Sequence, residues 1–367
     1  MKSSNSTSSA VNKLHVLLIG HMSSDVSGSS LSFKQLVDAL SNDDRVVIHV
    51  INTARPAHLT SSRIVNLITA LKVTSAALLR LRNMDIVTFH ASRPAMMLYG
   101  PILYVLARVF RKPVVLRLFG GALELEYEAL SPVGRYIFDK TILKADLILL
   151  QTKHLVSYFE QRGGGSIRWF SNSRPLNELR LEQEIGQSVC RRFIFLGRVV
   201  KEKGVEVILE SIPLLKPGIS IDIYGSFDGS YTAEKINTMG AGVVNYKGVL
   251  SFEKVFDMLP HYDALILPTF YRGEGYPGVI LEAYSQGLPV IATKWRSIPE
   301  IVDENTGILI PVRDTKALAQ AMNDLHSDTE LYQRLKRGAQ IKSLEFSDRV
   351  WFKRFVEWCD ELARVKQ

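Results

Sequence analysis

Cysteine is nearly absent from this 367-residue chain: Cys190 and Cys359 stand far apart, outside any Cys-x-x-Cys pair. That excludes a disulfide framework and a thiolate zinc site, and it fits a reducing cytoplasm. Uninterrupted hydrophobic runs are missing as well. The first dozen residues are rich in Ser and Asn without an apolar core, so residues 1–12 read as a disordered tail and not a signal peptide. The longest apolar stretch, Pro94 to Phe110, contains Arg108 and is too short for a bilayer span; a buried helix is expected there. No Asp-x-Asp pair stands at a suitable strand end, so no metal or other cofactor is implied. No nucleic-acid motif and no dense basic run occurs, so nucleic acid is not an expected partner.

What is present is enough apolar residue, 46%, for a sizeable core, and enough length for two domains of about 100–200 residues each. Charge is uneven. Residues 1–175 carry 21 Lys and Arg against 11 Asp and Glu, while the remainder is close to neutral. A basic half attracts anionic partners. An anionic membrane surface or a lipid-phosphate acceptor is the preferred partner, with a merely soluble basic surface as the alternative.

Strand and helix patterns alternate along the chain. Strands are expected at 14–20, 46–51, 86–90, 114–118, 147–150 and 167–170, with helix patterns at 31–40, 64–81 and 96–110 between them. The polar segment 172–188 suits a linker. Strands then resume at 193–196, 220–224, 243–246, 264–267 and 290–292. Such βα alternation implies parallel, doubly wound sheets. The expected division is 13–175 for a first domain and 176–347 for a second, with a final helix at 348–367.

The most informative stretch is Glu274-Gly275-Tyr276-Pro277-Gly278-Val279-Ile280-Leu281-Glu282. It lies where a strand pattern gives way to a helix. Pro277 suits a first helical turn, where its missing N–H costs nothing. Gly278 and Val279 then offer backbone amides at a helix N-terminus, a natural phosphate site. A carboxylate on either side can accept hydroxyl hydrogens, as on sugars. The segment reads as a grip on a sugar–diphosphate–nucleoside.

This stretch resembles the Glu-x7-Glu signature of the family 4 retaining glycosyltransferases. Two further stretches share that resemblance: Phe193-Ile194-Phe195-Leu196-Gly197-Arg198 with Lys203-Gly204, and Pro299-Glu300-Ile301-Val302 with Thr306-Gly307. The likeness is close over roughly 192–325 and loose before it. It implies the α/β GT-B fold, two Rossmann-like domains whose parallel sheets face an interdomain cleft: 13–175 on the acceptor side, 176–347 binding the nucleotide sugar, and the final helix, 348–367, packing back on the first domain, with simple packing on the second as the alternative. It implies transfer of a sugar from a nucleotide-diphosphate sugar, with UDP preferred and GDP and ADP open, to a glycan or lipid-linked glycan. Bacterial surface polysaccharide synthesis, in the cytoplasm and at the inner face of the membrane, is the expected setting.

By the same resemblance, Arg198 and Lys203 contact the diphosphate and stabilise its growing charge. Glu274 contacts the transferred sugar, and Glu282 the ribose. Gly197, Gly225, Gly248 and Val249 lie by the nucleotide, and Gly275 and Tyr276 belong to the same grip. Each has a plain alternative: surface cations, a capping acid, an exposed helical Glu, ordinary turns. Gly28, in Ser27-Gly28-Ser29-Ser30, stands for the family's glycine-rich loop, though a serine helix cap would read the same. His90, ending a strand, is expected to face the cleft and serve catalysis, with a structural histidine as the alternative. Asn172 resembles an Asn at the interdomain junction. Phe119 occupies a place where family members often carry a histidine, which puts the usual sugar contact in doubt. A non-catalytic nucleotide-sugar-binding scaffold or sensor on the same fold is the rival reading; a phosphorylase or an epimerase is a third.

Overall fold

The computed structural model describes residues 13–22, 28–54, 63–176 and 189–365. The expected tail 1–12, Ser27 and the linker residues 177–188 lie outside them.

Two six-stranded parallel sheets form the frame. The first contains β1 (Leu14–Gly20), β2 (Val46–Asn52), β3 (Ile86–Ser92), β4 (Val114–Phe119), β5 (Leu147–Leu150) and β6 (Ser166–Trp169), in the order β2-β1-β3-β4-β5-β6. The second contains β7 (Arg192–Leu196), β8 (Ser220–Tyr224), β9 (Val244–Tyr246), β10 (Ala264–Leu267), β11 (Val290–Thr293) and β12 (Gly307–Ile310), in the order β12-β11-β10-β7-β8-β9. Central strands are apolar at nearly every position, as in β5 and β10, because helices cover both faces of a parallel sheet. The run 308–310, not assigned to a strand from sequence, pairs in parallel with β11 as the sheet edge.

Each order reverses beside its first strand, between β1 and β3 and between β7 and β10. Ligands of doubly wound sheets bind at such reversals, beyond the carboxyl ends of the strands. The segments leaving β7 and β10 carry Arg198, Lys203 and Glu274.

Helices α1 (Gly28–Ser41), α2 (Arg63–Leu81), α3 (Arg93–Val109), α4 (Leu123–Glu128), α5 (Pro132–Lys140) and α6 (Lys153–Glu160) belong to the first sheet. One face of that sheet packs against α2, α3, α5 and α6. The other packs against α1 and against a helix from the far end of the chain, Asp348–Val365, whose Trp351, Phe352 and Phe355 join Val16, Leu18, Phe33 and Phe170. The chain crosses between the sheets twice, side by side: Arg174 N–H donates to Phe346 O at 2.9 Å, and Asp348 N–H to Arg174 O at 3.1 Å.

The apolar stretch expected as a buried helix is corrected. Helix α3 buries Met96, Tyr99, Leu103 and Ala107, but Ile102, Val105 and Val109 are 47%, 53% and 71% exposed. A helix laid on one side of a sheet buries one stripe only; here the outer stripe is apolar too.

Candidate functional site

The site begins with the turn after β7. Gly197 (φ 150°) and Gly225 (φ 151°) lie so close that a Cβ on Gly225 would sit 1.7 Å from Gly197 O. Both adopt a backbone that favours glycine. Gly248, at φ 96°, accepts a hydrogen bond from Gly225 N–H through its carbonyl at 2.9 Å, and Val249 beside it is 66% exposed. Three strand ends thus meet in a bare floor of backbone.

Beside it, Lys203 ends a short 3-10 turn, and Gly204 (φ 80°) lets the chain pass against Pro268. The Lys203 ammonium donates to Glu274 Oε2 at 2.6 Å, and Thr269 Oγ1–H donates to the same oxygen at 2.8 Å. Both carboxylate and ammonium are nearly buried. Arg198 is exposed and stacks over the Tyr271 ring at 5.5 Å, which also has Lys203 5.3 Å from its centre. The structure therefore brings Arg198, Lys203 and Glu274 to one place, with the lysine already paired.

Helix Gly278–Ser285 starts at Pro277, which serves as N-cap with no side-chain cap. This leaves the first amides, of Gly278 and Val279, to an outside acceptor. Glu282 lies one turn along and is buried, not an exposed helical acid. Its Oε1 accepts from Arg174 Nε and Nη2, each at 2.9 Å. The guanidinium sits against the helix start: a Cβ on Gly278 would be 2.1 Å from Arg174 Nη2. Tyr276 packs into the core around the second sheet while its hydroxyl donates to Glu300 Oε2 at 2.6 Å.

The first domain closes over this segment. A Cβ on Gly121 would sit 2.0 Å from Glu274 O, so only glycine fits there, and Gly275 lies against the same turn. Asn172 Nδ2 donates to Tyr276 O at 3.0 Å, while its Oδ1 accepts from Gln151 at 2.8 Å and Ser32 at 3.2 Å. Glu300 accepts from the Lys153 and His154 amides at 2.7 and 3.1 Å, capping α6 from across the cleft. Arg296 pairs with Glu124 and with Gly121 O.

His90 is corrected. It is 1% exposed and lies between Phe33 and Phe355, with ring centroids at 4.9 and 5.8 Å; it does not face the cleft. The strand direction puts its side chain into the layer under α1. Its Nε2 meets Thr88 Oγ1 at 3.0 Å, while burial and the nearby Arg117 charge push its pKa well below the usual histidine range. Arg117 is also fully buried, stacked on Phe119 and Phe170 at 4.7 and 4.3 Å, and burial pulls it down to about 9. Phe119 thus covers a buried cation. Gly28 is exposed at the start of α1, with open space where a Cβ would be.

Sequence reasoning missed Arg174, Thr269 and Gln151 as parts of this cluster. Arg174 lies in a polar stretch with no periodic signal, so only the pairing across 108 residues shows its role.

Comparison with known proteins bears on the same segment. Residues 190–328 match the family described as glycosyl transferases group 1. The amylovoran biosynthesis glycosyltransferase AmsK of Erwinia amylovora is 25% identical over 196 residues, 50% of this chain and 48% of that protein. The alpha-D-kanosaminyltransferase of Streptomyces kanamyceticus is 28% identical over 152 residues, 40% of this chain and 39% of that protein. The aligned segments span 39% to 60% of the length of these and similar curated relatives. In three dimensions, Anabaena HepE in complex with UDP-glucose superposes with a TM-score of 0.72 at 18% identity, covering 94% of this chain and 99% of that one. The lipopolysaccharide outer core galactosyltransferase WaaB gives 0.68 at 16% identity, covering 96% and 100%. The chain has the GT-B fold, and its second domain carries a stretch similar to the group 1 glycosyl transferases.

Proposed function

We propose that this protein is a retaining glycosyltransferase that moves a sugar from a nucleotide-diphosphate sugar, UDP preferred, to a glycan or lipid-linked glycan. The observation that carries this reading is the convergence of Arg198, Lys203, Glu274 and the Gly278 helix start at the reversal point of the second sheet. In this reading the helix amides and Arg198 hold the diphosphate, and Lys203 swings to it from Glu274 when a donor enters. Glu274, relieved of the lysine, accepts hydroxyl hydrogens of the sugar. Glu282 receives the ribose hydroxyls on the oxygen that Arg174 leaves. Gly197, Gly225, Gly248 and Val249 line the nucleotide. As the donor C1–O bond breaks, the acceptor oxygen bonds C1 on the same face and its proton passes to the departing phosphate. Fixed positive groups aimed at that phosphate lower the barrier; one such group is worth about 2.7–4 kcal/mol. The residues above supply that charge without a metal, so activity is expected to survive a chelator.

The likeness to the amylovoran biosynthesis glycosyltransferase AmsK supports polysaccharide synthesis as the setting; the bacterial surface, a cytoplasmic place and peripheral contact with an anionic membrane belong to the same proposal, the last of them resting on the basic first half of the chain. For division of labour, 13–175 with the returning helix would serve the acceptor and 176–347 the donor.

A non-catalytic nucleotide-sugar-binding role keeps one specific support: His90 is enclosed and Phe119 stands over Arg117, which leaves neither position to act on a sugar. A thermal-shift screen with UDP-, GDP- and ADP-sugars, coupled to product detection, separates the two. A shift with turnover, both lost in Arg198→Ala, supports the enzyme; a shift without turnover on any glycan acceptor supports the sensor. Product anomeric configuration by NMR tests retention.

A further inference from the structure

The outer face of α2 and α3 carries rows of exposed aliphatic side chains. On α2, Leu67, Ile68, Leu71 and Leu79 are 60%, 60%, 61% and 81% exposed. On α3, Ile102, Val105 and Val109 recur at three- and four-residue spacing along one exposed stripe. The two helices pack side by side over the same face of the first sheet. Burial of their inner stripes is already complete through Ala70, Val73, Ala77, Met96, Tyr99 and Leu103. The outer aliphatic side chains therefore do nothing for the fold, and keeping them in water costs free energy.

Charge says what covers them. Residues 65–84 contain Lys72, Arg80 and Arg82 and no acid; residues 93–112 contain Arg93, Arg108, Arg111 and Lys112 and no acid. Arg93 and Arg108 pair with Glu126 and Asp146. Among the described residues, Lys72, Arg80, Arg82, Arg111 and Lys112 form no ion pair. Aliphatic stripes edged by long cationic side chains that outnumber the nearby acids Asp85, Glu126 and Asp146 match a bilayer interface. The apolar groups enter the acyl boundary, while Lys and Arg extend to anionic headgroups.

We propose that the α2–α3 face is a membrane-docking surface that inserts its aliphatic stripes into an anionic lipid leaflet. The face belongs to the acceptor-side domain, so the proposal deepens the reading above and rests on it for purpose. The docking itself is tested without catalysis.

The test is vesicle flotation of the full chain. Vesicles are phosphatidylcholine alone, or phosphatidylcholine with phosphatidylglycerol, at low and high salt. The protein is expected to float with the anionic vesicles only. Leu71→Ser with Leu79→Ser and Val109→Ser should lower partitioning by about tenfold or more at both salt concentrations. Lys72→Ala with Arg82→Ala should flatten the salt dependence. All five side chains are exposed or at the surface, so circular dichroism and the UDP thermal shift of these variants should match the parent; that shift reports the donor site independently of docking. The proposal is overturned if the parent floats with neither vesicle or if the serine variant floats as well as the parent. A parent dimer in light scattering that the serine variant splits into monomers would also overturn it, assigning the face to a second copy.

Discussion

At the scale of single residues, two buried groups make sharp predictions. His90 stays neutral in the fold, while an unfolded histidine titrates near about 6.5. Below that pH the unfolded chain binds a proton that folded His90 refuses, so stability is full above about 6.5 and falls on acidification. The fall is about 1.4 kcal/mol per pH unit down to the folded pKa. In urea melts at descending pH, His90→Phe should lack this component; an unchanged slope would remove His90 as its source. The second group is Arg174. Taking it away leaves Glu282 buried without a cation, and breaking such a pair costs about 3–5 kcal/mol. Arg174→Met should therefore destabilise strongly, and Glu282→Gln in the same chain should restore much of the loss. Additive losses in that double-mutant cycle would sink the pairing.

These residues also mark what the sequence made legible. Glu274, Arg198 and Lys203 announce themselves because a strand end, a glycine and a helix start surround them within a few positions. His90 lies near the end of β3, two residues before its last, but period-two alternation alone does not say which face is the open one, and the returning helix with Phe355 closes that face from far along the chain. Arg174 had no local pattern at all.

At the scale of elements, most strands and their parallel pairing were readable because apolar runs alternate with helical periods; the order within each sheet was not. The short helices between β4 and β6 were not, since runs of six to nine residues give too little periodicity. The glycine turns are the most exacting elements. Gly225→Ala adds a Cβ 1.7 Å from Gly197 O at a φ of 151°. Backbone strain of this kind costs about 1–3 kcal/mol before the clash is counted. A lowered Tm and a weakened UDP shift are expected together; a variant with parental Tm would show that the turn can open. The helix α6 is capped by Glu300 from the other domain, and a lost cap costs about 0.5–2 kcal/mol. Glu300→Ala should speed amide hydrogen exchange at Lys153 and His154. If exchange there is unchanged, the cross-domain cap does not hold in solution.

At the scale of the whole molecule, the segment from Glu274 to Glu282 touches both domains. Gly121, Asn172 and Arg174 all meet it from the first domain or from the crossing point, so a donor would be enclosed by parts of the chain more than 100 residues apart. The outline of two facing sheets could be drawn from the sequence. The contacts that bring them together could not, because pairs such as Arg296 with Glu124 have no signature in either local segment.

The double crossing at Arg174 and Asp348 has a consequence for synthesis. The ribosome delivers the first sheet early, yet Trp351, Phe352 and Phe355, which fill one of its faces, leave the exit tunnel only after the entire second sheet has been made. Until then Phe33, Leu36 and Phe170 lack their cover. The half-made chain is obliged to wait with one greasy face open, a natural client for chaperones during translation. Ribosome-stalled nascent chains ending before residue 348 should be cut readily by added protease within the first sheet, and the 367-residue chain stalled behind an appended linker long enough to clear the exit tunnel should not.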